Sequence, residues 1–331
     1  MASNYTNNTS YKNYNPSSDG HNINNNDQLF TTTTTSYTNT NESLFCRQER
    51  IMVTIAGDQL FSMFFSYAYF GSAIAGLITN SVVIYLIFET GQLRKKSIRL
   101  QGYLHMIDIF SSMVALMRGT LLVFADGVTC EMLRWAYFMV LLSIYASSYM
   151  FCLVSINRYL QITYLNEYED KFNRTRLHIC LIWYSVCVGV QATVGSVLNW
   201  AHYIGYASKY TTPFNVPEVV FSLFVYTLSA VKLKQYKSVN PSAAVTLERS
   251  IRYTFIYSMM FVLSQGYILT YQILMHSFAL SSLQTVVLQN ITILATSVSG
   301  WINAIFFLFT NDPSNNYIRR KMVLNNNMVQ P

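Results

Sequence analysis

Three ionisable side chains stand inside stretches too apolar to solvate them. Asp108 lies in YLHMIDIF and Arg118 ten residues beyond it. Arg158 follows a run in which nothing from Trp135 to Ile156 ionises except tyrosine and cysteine. A charge at a bilayer centre costs about 2.5–3.5 kcal/mol even on insertion scales, so each marks a partner, a wet cavity or a ligand. Asp108 can accept hydrogen bonds from neighbouring helices or hold a cation. Arg118 can fork onto a ligand carboxylate or phosphate, or snorkel to the headgroups. Arg158, in the last turns of its run, can reach a water-filled vestibule. Asn80 in GLITNSVV suits helix packing as well as switching. Covalent chemistry lacks its residues: there is no second intramembrane aspartate, Ser/His pair or HExxH, so an enzyme is not expected. His105 is placed for i to i+3 packing with Asp108. The five cysteines have neither CxxC spacing nor paired histidines nearby, which argues against zinc.

Charges so placed need helices that cross a membrane. The 331-residue chain is 52% hydrophobic and 11% charged, where soluble domains carry about 25% charged residues. Its net charge of +7 is not gathered on a polar face with interleaved aromatics, so nucleic acid is not an expected partner; the lipid bilayer is. Seven apolar segments, at 60–88, 101–124, 133–163, 177–200, 216–235, 251–276 and 283–309, are long enough to span a bilayer. The expected fold is an all-α membrane protein, a seven-helix bundle over 58–310. Residues 1–57 form an Asn/Thr-rich tail without apolar periodicity, read as disordered and extracellular. It carries glycosylation sequons at Asn4, Asn7, Asn8 and Asn41, although so Asn-rich a tail also yields sequons by chance. No secretory leader is visible in the first fifty residues. Sixteen of the 22 basic residues fall on the side that holds Arg94, Arg158, Arg174 and Arg319. The positive-inside rule therefore puts the N-terminus outside. Residues 311–331 form a short cytoplasmic tail whose segment Tyr317–Val323 makes a basic amphipathic eighth helix on the inner leaflet.

The order and spacing of these residues resemble a rhodopsin-like (class A) G-protein-coupled receptor over about 60–322. Asn80 matches the family's first-helix asparagine, and Asp108 in LHMID its second-helix aspartate. Ser147, eleven residues before Arg158, matches the serine that helps this aspartate hold Na+. SINRY resembles the (D/E)RY end of the third helix, Trp183 matches the fourth-helix tryptophan, and Asn303 in WINAIFF sits where the seventh helix carries NPxxY. The departures are as specific. Asn157 replaces the acid before Arg158, FVLSQG puts Gln265 at the sixth-helix toggle, and NPxxY lacks its proline and tyrosine. Tyr226 stands in for the fifth-helix tyrosine, one residue off its spacing. Motifs so worn are similar to those of nematode serpentine chemoreceptors.

The resemblance implies a receptor at the plasma membrane that passes an extracellular signal to a heterotrimeric G protein through Asn157, Arg158 and Tyr159, with Tyr226 and Asn303 as switches. It implies a buried polar cluster of Asn80, Asp108, Ser147, Ser299 and Asn303, with room for Na+ near Asp108 and no other cofactor. Without the acid at position 157, basal signalling is expected to be raised. Val140 occupies the amine-binding position, eighteen residues before Arg158, and Ser297 the Schiff-base position, which disfavours monoamines and retinal. A peptide, lipid or small chemosensory ligand remains, with Arg118, Val140, Tyr145, Gln265 and Gln289 around its pocket; plain helix packing explains Tyr145 as well. The family's outer disulfide has no cysteine in the second outer loop here. Cys130 and the only other outer cysteine, Cys46, are left as a bridge or as two free thiols. The rival readings are a multi-span transporter or channel, which lacks paired intramembrane charges and an internal repeat, and a non-signalling seven-span protein.

Overall fold

The computed structural model describes residues 43–53, 59–94, 96–124, 127–164, 167–168, 174–201, 220–232, 234–235, 282–311, 314 and 316–318, with isolated positions at 266, 270 and 273–274. Among them every regular element is helical: α1 (Leu44–Val53), α2 (Gln59–Glu89), α3 (Lys96–Val123), α4 (Cys130–Thr163), α5 (Arg174–Ala201), α6 (Val220–Lys232) and α7 (Ser282–Thr310). Five of these, α2 to α5 and α7, are long and apolar enough to cross a membrane, and α6 is a shorter apolar helix. The chain is thus a multi-pass helical protein. The expected sixth span, 251–276, lies outside the described residues apart from the isolated positions. So do the sequons at Asn4, Asn7, Asn8 and Asn41, Gln265, and the basic part of the expected eighth helix.

One expectation is corrected. The tail read as disordered through residue 57 contains α1, a helix of 10 residues. A helix this short is marginal in water by itself. Tertiary contacts hold it: Phe45, Cys46 and Glu49 share one face at i, i+1 and i+4, and all are buried.

The bundle turns the soluble pattern inside out. On α2 the buried side holds Ala73, Gly76, Asn80 and Val83, while Ile74, Ile78, Val82 and Tyr85 face outward; α5 exposes Ile182, Trp183, Val186, Val190, Val194 and Val197 at three- and four-residue intervals. Apolar stripes this long are aggregation surfaces in water and ordinary solvent-facing surfaces in lipid. Helix α3 packs against α2, α4 and α7, so Asp108 and Arg118 are enclosed by three neighbours.

Local signals set the helix ends. Thr129 caps α4, its hydroxyl accepting from the Met132 amide at 3.3 Å, and Glu131 in the first turn complements the helix dipole. At 34 residues and 1.5 Å per residue, α4 is about 50 Å long. It outruns a hydrocarbon core of about 30 Å, so Cys130 and Arg158, about 42 Å apart along it, cannot both lie within that core. Gly91 takes a left-handed φ of 63°, which a residue without Cβ adopts freely. The 3₁₀ turn Gln92–Arg94 follows. Gln92 then accepts from Asn311 Nδ2 at 3.0 Å, tying the α2–α3 turn to the end of α7.

Helices α2 and α3 approach at Gly76, where an added Cβ would stand 2.1 Å from Ser112 Oγ. That hydroxyl cannot swing away without losing its 2.8 Å bond to the Asp108 carbonyl. Gly76→Val should therefore destabilise the bundle by about 1–3 kcal/mol. Thermal unfolding in detergent checks this, with Gly71→Val as the control, since a Cβ there meets nothing within 4 Å.

Candidate functional site

The polar groups fall into three layers along the bundle. At the end that carries α1, Cys46 and Cys130 are joined by a disulfide with a Cα–Cα distance of 5.4 Å. One turn beyond Cys46, the Glu49 carboxylate accepts a hydrogen bond from Nη1 of Arg118 and forms an ion pair with it. Both residues are 0% exposed. Phe45 meets Tyr137 of α4 edge-on at 5.3 Å, and Arg50 donates to the Val128 carbonyl at 3.2 Å. Arg118, read as a pocket base or a snorkelling side chain, is buried here. A second segment of its own chain covers it. Tyr69 and Tyr137 stand beside its guanidinium. Tyr69 donates to the Asn290 carbonyl at 2.9 Å, and Asn199 donates to the Tyr137 oxygen at 2.7 Å.

The middle layer is a chain of small hydroxyls. Ser72 donates to Ser297 at 2.9 Å and Ser143 to Ser111 at 2.7 Å, with Ser147 at 3.5 Å from Ser111. Ser111, Val140, Ser143, Thr296 and Ser297 help to line a cavity of about 10 Å³, room for roughly one water with polar partners at hand. Val140 thus lines this water-sized gap. Tyr145 is buried and packs against α5 at Gly195, whose added Cβ would meet its hydroxyl at 3.6 Å. Gln289 is buried on α7.

Deeper still, the expected cluster is assembled differently from its reading in sequence. Asn80 Oδ1 and His105 Nδ1 are 2.8 Å apart, so the histidine read as intrahelical packing is the amide's partner. Its ring also meets Phe307 edge-on at 5.2 Å. Asp108 is buried, its Oδ2 has no partner, and Gly300 backs it so closely that a Cβ there would be 3.1 Å from its Cγ. Ser147 is committed to Ser111, and Ser299 to the Thr296 carbonyl at 2.8 Å. Asn303 is buried with both amide atoms unpartnered. Among the described residues, Asp108 Oδ2 and Asn303 Oδ1 are the buried oxygens of this set that lack a hydrogen-bond partner.

At the far end, Arg158 is 8% exposed, donates to Gln161 Oε1 at 3.1 Å, and keeps Nε without a partner. Asn157 is buried, and its Oδ1 accepts from the hydroxyl of Tyr168 in the segment after α4. Tyr159 is half-buried, and Tyr226 packs with Met150, Phe151 and Val154.

Sequence reasoning missed Glu49 and Tyr168, and it placed His105 beside Asp108 without finding its partner Asn80. Glu49 left one trace, an acid three residues after a cysteine within an amphipathic decapeptide, which places both on one helical face. The partners of His105 and Tyr168 left none, because they depend on helix rotation and on a loop path. No protein-family model matches the chain, and none of the curated proteins compared with it matches either.

Proposed function

We propose that the chain is a divergent rhodopsin-like receptor of the plasma membrane. In this reading it has seven spans and an extracellular, glycosylated N-terminal tail. It passes an outer signal to a heterotrimeric G protein through the α4 end at Arg158. The observation that carries the reading is the state of that arginine. It sits near the end of α4, the longest of the described helices, nearly buried, and among the described residues it is held by an amide one turn away and by no carboxylate. An arginine so weakly engaged can leave for a partner's surface at small cost. The polar seam from Ser72 to Asn303 supplies helices able to repack between two states.

Asn157 does not restrain Arg158 as an acid would. Its tie to Tyr168 instead fixes the segment after α4 beside the arginine. Basal signalling should therefore be high, and Asn157→Asp should lower it in a cell assay at matched surface expression. The test of the reading itself is agonist-independent G-protein activation with and without Arg158→Ala. The expected result is loss of most activation in the variant; equal signalling at equal expression overturns the receptor reading.

A further inference from the structure

The ion pair at the α1 end leaves hydrogen-bonding capacity unused on both sides. Nη1 of Arg118 meets Oε1 of Glu49, while among the described residues Nε and Nη2 of the arginine, with Tyr69 close by, and Oε2 of the glutamate are buried without a partner at hydrogen-bond geometry. A guanidinium forked onto a carboxylate through two parallel bonds is the stronger arrangement. Glu49 does not make it, and the leash explains why. Its backbone is pinned one turn earlier at the Cys46–Cys130 bridge, so the carboxylate arrives only along the line that α1 allows. The bundle's own contribution is a cation flanked by Tyr69 and Tyr137, whose hydroxyls are steadied by Asn290 and Asn199. The anion comes from the segment preceding the bundle.

We propose that Arg118 is a carboxylate-binding site that the chain fills from within, so that Glu49 on its disulfide-leashed helix and an external monocarboxylate compete for one guanidinium. The inference rests on the receptor reading for what the competition signals, but not for the binding itself. Charge selects the ligand class. A neutral or cationic molecule that displaced Glu49 would leave a fully buried arginine uncompensated. A dianion would bring one charge too many into a site that is fully buried. A single carboxylate reproduces what is there and reaches the two free donors as well. The bridge holds Glu49 on a fixed helix, so its effective concentration exceeds the millimolar of a short flexible linker, and a free carboxylate wins only after α1 has lifted or Glu49 is gone.

The purified full-length chain in detergent tests this with acetate and propionate as probes. Glu49→Ala opens a carboxylate-sized gap. Either anion, at tens of millimolar, should raise its Tm by about 2–4 °C over the same concentration of chloride. The wild type and the double variant Glu49→Ala/Arg118→Met should not respond. If the single variant does not fold, Cys46→Ser keeps Glu49 and frees the leash. Phenylglyoxal should then modify Arg118 at least tenfold faster than in the wild type, by peptide mass mapping, and propionate but not chloride should slow it. A carboxylate effect no larger than that of chloride in both variants overturns the site. A carboxylate-stabilised variant that is silent in the G-protein assay supports the site and retires the receptor reading.

Discussion

Glu49→Ala should lower the unfolding free energy by about 3–5 kcal/mol, the cost of stranding a buried charge. Arg118 is 0% exposed and already has two donor atoms without partners. Removing Glu49 takes away the acceptor it does have and leaves its charge with no described carboxylate beside it. The comparison within the same molecule is the pair of Arg134 and Glu131, 3.1 Å apart with the glutamate side chain 73% exposed. Water screens that pair, and Glu131→Ala should cost less than about 1 kcal/mol. The large effect belongs to the unpaired charge and not to a strong attraction. Glu49→Leu with Arg118→Met should therefore recover most of the loss, since a buried pair replaced by apolar groups of similar size is often neutral or better. Denaturant unfolding in detergent at neutral pH measures all four proteins. A cost for Glu49→Ala no greater than for Glu131→Ala sinks the claim that this pair is sealed from water.

The spans were legible because their signal is additive. The windows that define α2 or α4 need only length and apolarity, and no knowledge of neighbours. Helix α1 was not legible for the opposite reason. Ten residues cannot nucleate a stable helix, so LFCRQERIMV reads as tail until Cys46, Phe45 and Glu49 are seen to have partners. The polar cluster shows how far a residue list reaches. Asn80, Asp108, Ser147, Ser299 and Asn303 are all buried. Burial follows from polarity inside an apolar span, because such groups turn away from lipid. Their pairing depends on the rotation of each helix about its axis. A turn of 100° per residue decides whether Ser147 meets Asp108 or Ser111, and it is Ser111. The same holds at the far end, where the identity of Asn157 was visible and its partner Tyr168 was not.

Opening the Cys46–Cys130 bridge should release α1 and leave the bundle standing. The two cysteines are 84 residues apart, and for a coil-like unfolded chain a loop of that length corresponds to about 4–5 kcal/mol of closure entropy. That figure does not apply to the whole protein, because α2 and α3 lie between the cysteines and remain helical in lipid or detergent. The entropy is recovered mainly by the short segment that the bridge pins. In the variant Cys46→Ser/Cys130→Ser, amide exchange in Leu44–Val53 should speed up by a factor of about 10²–10³, corresponding to roughly 3–4 kcal/mol of local opening. The middle of α4 should keep its protection. The bridge and the ion pair then form one unit. Once α1 lifts, Arg118 can regain water, so Glu49→Ala should cost clearly less in the bridge-free background than in the wild type, with a coupling energy of about 1–3 kcal/mol. Additive costs in that cycle would mean that the bridge and the ion pair hold α1 independently, and the leash would play no part in presenting Glu49 to Arg118.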